Sequence, residues 1–208
     1  MSIEIDVAPL QQLARRVERL GENVDRAARI AINDGARFAV RSGTKDIASQ
    51  INLSQRYISG GADPRLSVRQ FASDSNLEAV VTGRDRPTSL ARFSRSAVRF
   101  GRQRLSPTVR VDKGAGGSRV RGSFFVKLRR GTNMDGESFN VGLAVRLKPG
   151  ERIPGKNKMA TQSRSGFNLL YGPSVGQAFR SAAPRAAGPV SDRISNAFAR
   201  AIALGLKR

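Results

Sequence analysis

Leu10, Leu13, Val17, Leu20 and Val24 recur at spacings of three and four residues. That spacing lays one apolar stripe along a helix, with Arg15, Arg16, Glu18 and Arg19 on the other faces. The helical pattern continues through Ala27, Ala28, Ala31, Ala36 and Ala39 to about Ile47. Side chains this small predict that another helix or subunit approaches closely. Gly21 and Asn33-Asp34-Gly35 are the expected breaks or bends. The heptads are too few to establish a coiled coil, so the helix is expected to pack on its own domain.

A short helix is expected within Ile51-Asn52-Leu53-Ser54-Gln55-Arg56-Tyr57-Ile58, capped by Asn52 or Ser54. Gly60-Gly61-Ala62-Asp63-Pro64 then ends the helical region. From Arg65 to Tyr171 the period changes to two. Leu66/Val68, Leu77/Ala79/Val81, Val109/Val111, Val120 to Leu128 and Val141/Leu143/Val145/Leu147 are the predicted strands. Residues 114–118 read as a flexible loop, and 148–166 as a long exposed loop or arm. After Phe167-Asn168-Leu169-Leu170-Tyr171-Gly172-Pro173, Ser174 caps a helix that Pro184 and Gly188-Pro189 are expected to interrupt. A last helix runs from about Pro189, a suitable first residue, to Leu206. Its stripe of Val190, Ile194, Ala197, Ala201 and Leu204 is its expected buried face.

The pattern predicts one α+β domain over residues 1–208, with N- and C-terminal helices packed on a central, mainly antiparallel β-sheet or sandwich with long basic loops. Residues 1–60 are its helical part, 65–171 its β-rich part and 174–208 its C-terminal helices. Hydrophobic residues make up 39% of the chain, below the usual ~45–50%. The core is thin for the length, so partner subunits are expected to add stability.

Charge narrows the function. Lys and Arg total 37 against 16 Asp and Glu, for a formal net charge of +21. A surface this basic faces nucleic acid or the acidic faces of partner proteins. Nearly all the cations are Arg, whose planar fork suits phosphates and interface carboxylates. A host genome rich in G and C would also favour Arg over Lys, but it does not explain the net excess. Fourteen basic and two acidic residues fall between positions 84 and 130. Within that segment Arg92, Arg95, Arg99, Arg102 and Arg104 interleave with Phe93 and Phe100. These five Arg are the candidate partner- or DNA-facing residues. Guanidinium with aromatic is the chemistry of backbone neutralisation and base stacking. Pairing with carboxylates of neighbouring subunits, or plain solvation, uses the same residues. Ala27, Ala31, Val190, Ile194, Ala197 and Ala201 are the candidate subunit- or core-packing residues.

The chain has no His, Cys or Trp. Absence of His and Cys removes the commonest metal ligands, the usual base near neutral pH and the best nucleophile. Ser174 has no His to activate it, and there is no phosphate-binding Gly-Lys-Ser/Thr loop. Asp135 and Glu137 flank Gly136 as a hairpin tip does. An enzyme, a bound metal and a cofactor are therefore not expected. Zero Cys fits a reducing compartment. Met-Ser-Ile-Glu-Ile-Asp has no apolar core of a secretory signal, and no apolar run is long enough to span a membrane.

The Ala-rich helix Ala27-Ala28-Arg29-Ile30-Ala31-Ile32-Asn33-Asp34-Gly35-Ala36-Arg37, followed by Ile51–Ile58, resembles the N-terminal half of the minor tail protein Z family of lambda-like phages. The Tyr171-Gly172-Pro173-Ser174-Val175 turn before an Ala/Arg-rich helix is similar to that family's end, and is the most specific part of the likeness. The basic, β-rich middle matches in character. The resemblance implies a structural virion protein that completes the tail near the head–tail junction, or neck, made in the host cytoplasm. It implies a homo-oligomeric ring, a hexamer by preference, with other phage tail or neck proteins as partners and non-specific contact with DNA in the channel. No membrane, enzyme activity or cofactor goes with it. The rival expectation is a basic, sequence-independent nucleic-acid-binding protein outside any virion.

Overall fold

The computed structural model describes residues 8–94, 98–100, 106–128, 140–147, 160–162 and 166–205, without side chains at 8–20, 160–162 and 205. The chain is α+β, with N- and C-terminal helices packed on antiparallel strands. It divides into two compact units. One unit comprises residues 1–42, 67–82 and 184–208; the other comprises 43–66 and 83–183.

Helix α1 (Ala8–Gln50) is continuous, so the breaks expected at Gly21 and at 33–35 do not occur. In the first unit the triplet 33–35 serves as a contact strip instead. Asn33 clamps the backbone of Ala72, donating Nδ2 to its carbonyl at 3.0 Å and accepting its N–H at 2.8 Å. Asp34 pairs with Arg193. Gly35 leaves room for Ile194, whose Cδ1 would lie 2.8 Å from a Cβ at position 35. Interior Gly costs a helix about 1 kcal/mol relative to Ala, and this close packing offsets that cost.

The same unit contains most of strands β1 (Leu66–Gln70) and β2 (Val80–Gly83), which form a two-stranded sheet. Leu77 and Ala79 precede β2 rather than join it, and Leu77 is exposed. The unit's buried apolar residues, among those described, are all alanines: Ala27, Ala31, Ala36, Ala72 and Ala197.

The second unit has a larger core. Its main sheet runs β3 (Thr88–Ser89), β9 (Asn168–Gly172), β7 (Asn140–Val145), β6 (Ser123–Leu128), with β8 (Ala160–Gln162) paired to β9. All these pairings are antiparallel. Residues 141–145 are all buried. As an interior strand with small residues at Gly142 and Ala144, β7 is covered on both faces, so its alternation does not mark a solvated side. Phe93, Leu143, Val145, Phe125 and Leu170 fill this core. Strands β4 (Thr108–Val109) and β5 (Ser118–Arg119) form a separate pair. The strand expected through Val111 stops at Val109, and Val111 gives its carbonyl to Asn52 N–H at 2.8 Å. The strand expected from Val120 begins at Ser123, after a turn in which Gly122 has φ 71°.

Helix α2 (Gln55–Ser59) starts at Ser54, whose side chain accepts the N–H of Tyr57. Helix α3 (Val175–Gly205) begins where expected but contains both Pro184 and Pro189. Neither proline ends it, and Pro189 is not a first residue. Each interior proline costs about 3 kcal/mol through a missing hydrogen bond and a steric clash. The flanking residues 182, 183, 186 and 187 are all Ala, the best helix former, and α3 buries Val175 and Ala182 in one unit and Ala197 in the other. The unit boundary falls at Pro184.

Candidate binding surfaces

The two units divide the charge unequally. The first holds thirteen basic and nine acidic residues; the second holds twenty-four basic and seven acidic. Most of the +21 therefore belongs to the sheet-bearing unit.

On that unit the cations sit against aromatic rings. The Arg65 guanidinium lies 3.9 Å from the Tyr57 ring centroid, and that of Arg92 lies 4.6 Å from the same centroid. Arg65 also donates Nη1 to the Tyr57 carbonyl at 3.0 Å. Arg92 stands in a 3₁₀ turn (Leu90–Phe93) and donates Nη2 to Asn140 Oδ1 at 3.2 Å. Its half-burial lowers its pKa from the ordinary guanidinium value; the Tyr57 hydroxyl opposes that shift and Arg65 adds to it. Arg92 nevertheless stays charged, because a guanidinium is not deprotonated in proteins. Lys127 Nζ lies 5.1 Å from the Phe100 ring centroid, and the Arg146 guanidinium lies 5.8 Å from that of Phe124. Phe124 in turn meets Phe167 edge to face.

This arrangement corrects the picture of Arg and Phe as an open stacking row. Phe93 is wholly buried, Phe100 is exposed beside Lys127, and Arg92 is half-buried against Tyr57. Arg99 is exposed, as a partner-facing residue must be. Arg95, Arg102 and Arg104 lie outside the described residues, as does most of 148–166. Tyr57 and Arg65 are not legible as site residues in the sequence. They are distant along the chain from Arg92, and only the fold brings them together.

The packing candidates all fall in the first unit. Ala27, Ala31 and Ala197 are buried, while Val190, Ile194 and Ala201 are half-buried. Leu204, expected on the buried face, is 67% exposed. It borders a groove between α1 and α3 with a volume of about 840 Å³. A second groove, of about 450 Å³, lies on the sheet-bearing unit, with Asp112 as the one charged residue lining it. Among the described residues no three His, Cys, Asp or Glu cluster as a metal site does, and no helix is long and apolar enough to cross a membrane.

The junction into α3 is closely defined. Ser174, 1% exposed, accepts the N–H of Gln177 on its Oγ at 2.9 Å. Gln177 Oε1 accepts the N–H of Ser174 at 3.0 Å. This reciprocal pair is a capping box, and it satisfies two donors at the helix start.

No family model matches the chain, and no significant match is found among curated proteins or solved structures.

Proposed function

We propose that the chain is a structural component of a phage virion, acting in tail completion at the head–tail junction as a ring of its own copies. In this reading it performs no reaction and carries no cofactor. One observation carries the proposal: the sheet-bearing unit concentrates the cations, while the helical unit leaves large apolar side chains uncovered. A ring component needs both surfaces. The apolar one serves its own copies, and the basic one serves DNA in the channel or acidic neighbouring proteins. The Tyr171–Val175 turn also supports the reading. It is the most specific part of the family resemblance, and it forms the tight passage from β9 into the capped start of α3.

Deletion of the gene from the genome that carries it, followed by electron microscopy and infectivity assay of the particles, tests the proposal. The expected result is heads and tails that fail to join into infectious virions, with the chain detected at the neck of wild-type particles. Normal, infectious particles that lack the chain overturn it. A chain found only on cellular DNA or RNA points instead to a nucleic-acid-binding protein outside any virion.

A further inference from the structure

The groove between α1 and α3 of the helical unit joins an apolar floor to a cationic rim. Ile30 and Leu204 line it and are 48% and 67% exposed, over the buried Ala27 and Ala197. Arg26, Arg37 and Arg200 border it. Arg37 lies against Phe71, while Arg26 and Arg200 make no ion pair with any described residue. The one carboxylate in the lining, Asp34, is already engaged by Arg193. Five of the six large apolar side chains exposed in the described part of the molecule belong to this unit: Val24, Ile30, Phe71, Leu77 and Leu204. No large apolar side chain described in this unit is fully buried, unlike those of a self-sufficient core.

We propose that this groove receives residues 3–7 of a neighbouring copy. Ile3-Glu4-Ile5-Asp6-Val7 is the one stretch of the chain in which carboxylates strictly alternate with branched apolar residues, and the first cation after it is Arg15. An extended segment with that alternation presents its isoleucines to one side and its carboxylates to the other. The isoleucines meet the floor at Ile30 and Leu204, and Glu4 and Asp6 meet Arg26, Arg37 and Arg200. Reach makes the donor a second copy. From Ala8 to Asn23, where the groove begins, α1 rises about 22 Å. Residues 3–7, fully extended, span at most about 18 Å, so the chain's own segment does not reach along its groove. In a closed ring each copy gives one segment and receives one, a head-to-tail contact. The inference rests on the ring reading above and names the contact that closes it.

A fluorescent peptide of residues 1–7, titrated with the full chain carrying Ile3→Asp and Ile5→Asp, tests the contact by anisotropy; the substitutions remove competition from the chain's own segment. Saturable binding is expected. It is expected to vanish when the peptide carries the same two substitutions, and to weaken about tenfold when Arg26→Glu and Arg200→Glu are added to the chain. Both arginines are on the surface, and circular dichroism checks that the variant is folded. Absence of saturable binding, or binding unchanged by the two reversals, overturns the proposal. Sedimentation of the full-length chains separates it from the ring reading. Rings that form equally well with Ile3→Asp and Ile5→Asp overturn the groove contact and leave the ring standing. A wild-type chain that stays monomeric, alone and in particles, overturns the ring and with it the neighbour as donor.

Discussion

Arg193 on α3 holds Asp34 on α1 through two contacts, Nε to Oδ2 at 2.6 Å and Nη2 to Oδ1 at 3.3 Å, across 159 positions of sequence. The fork geometry fixes both side chains at once, which a single-point contact does not. It ties together the two helices of a unit whose described buried apolar residues are all alanines.

The pair makes stability depend on acid. The hydrogen bond from Arg193 lowers the Asp34 pKa from its ordinary 3.8, against a smaller opposing effect of burial. A depressed folded-state pKa gives stability that is present above the unfolded value and lost as pH falls through the folded one. Arg193→Gln is therefore expected to lower the melting temperature at neutral pH. The difference from wild type should narrow as pH falls below 3.8. Melting curves of both proteins across that range check this; a gap that stays constant into strong acid contradicts it.

Gly35 and Ile194 form the other tie between these helices. A Cβ at position 35 would fall inside the Ile194 side chain. Gly35→Val is expected to cost about 1–3 kcal/mol by overpacking. Ile194→Ala should recover part of that loss, because it removes the atoms in the way. A double-mutant cycle in urea measures the coupling. Additive effects would mean that the helices do not meet at this point.

These ties also explain which parts of the fold are legible in the sequence. Periodicity places α1, α3 and the strands around Leu66, Phe125 and Leu143, because apolar spacing reports directly on a buried face. It misjudges residues 33–35 and the two prolines. A local reading scores Asn, Asp, Gly and Pro as breakers, whereas the partners of 33–35 here, Ala72, Arg193 and Ile194, lie far along the chain. Leu204 fails for a related reason: helical spacing marks an apolar stripe but does not say whether the chain itself covers it. Of the basic surface, the charge excess of 84–130 is plain. The assembly of Arg65 and Arg92 on Tyr57 is not, since no short-range pattern links these positions.

Ser174 anchors α3 through its capping box with Gln177. Ser174→Ala is expected to cost about 1–2 kcal/mol, toward the upper end of cap substitutions because the site is buried and the change also leaves the Gln177 N–H without its acceptor. In a chain of this size that is a fall of about 2–8 °C in melting temperature. Ser174→Thr keeps the acceptor oxygen and should lose less. Thermal unfolding of the two variants ranks them; a Thr variant as unstable as the Ala variant would assign the cost to packing, not to the cap.

Arg92 and Arg99 are near neighbours in the sequence but are expected to respond oppositely. Arg92 is half-buried, stacked on Tyr57 and bonded to Asn140. Replacing it by Gln removes a cation–aromatic interaction and a hydrogen bond, about 1–2 kcal/mol together, so Arg92→Gln should destabilise the fold. Arg99 is exposed, so Arg99→Gln should leave stability within about 0.5 kcal/mol. Its effect should instead appear in binding to a polyanion. Every phosphate that the protein no longer neutralises reduces the slope of log affinity against log salt by about 1, whatever the DNA sequence. Titrations of a random duplex over several salt concentrations, run beside urea unfolding, separate the two roles. A salt slope unchanged by Arg99→Gln, with affinity also unchanged, would remove Arg99 from the DNA-facing set and leave carboxylates of a neighbouring protein, or solvent, around it. Arg95→Glu combined with Arg99→Glu then provides the test in the particle. That double reversal should block incorporation or DNA passage, and infectious particles carrying it would show that these two arginines face neither DNA nor a partner.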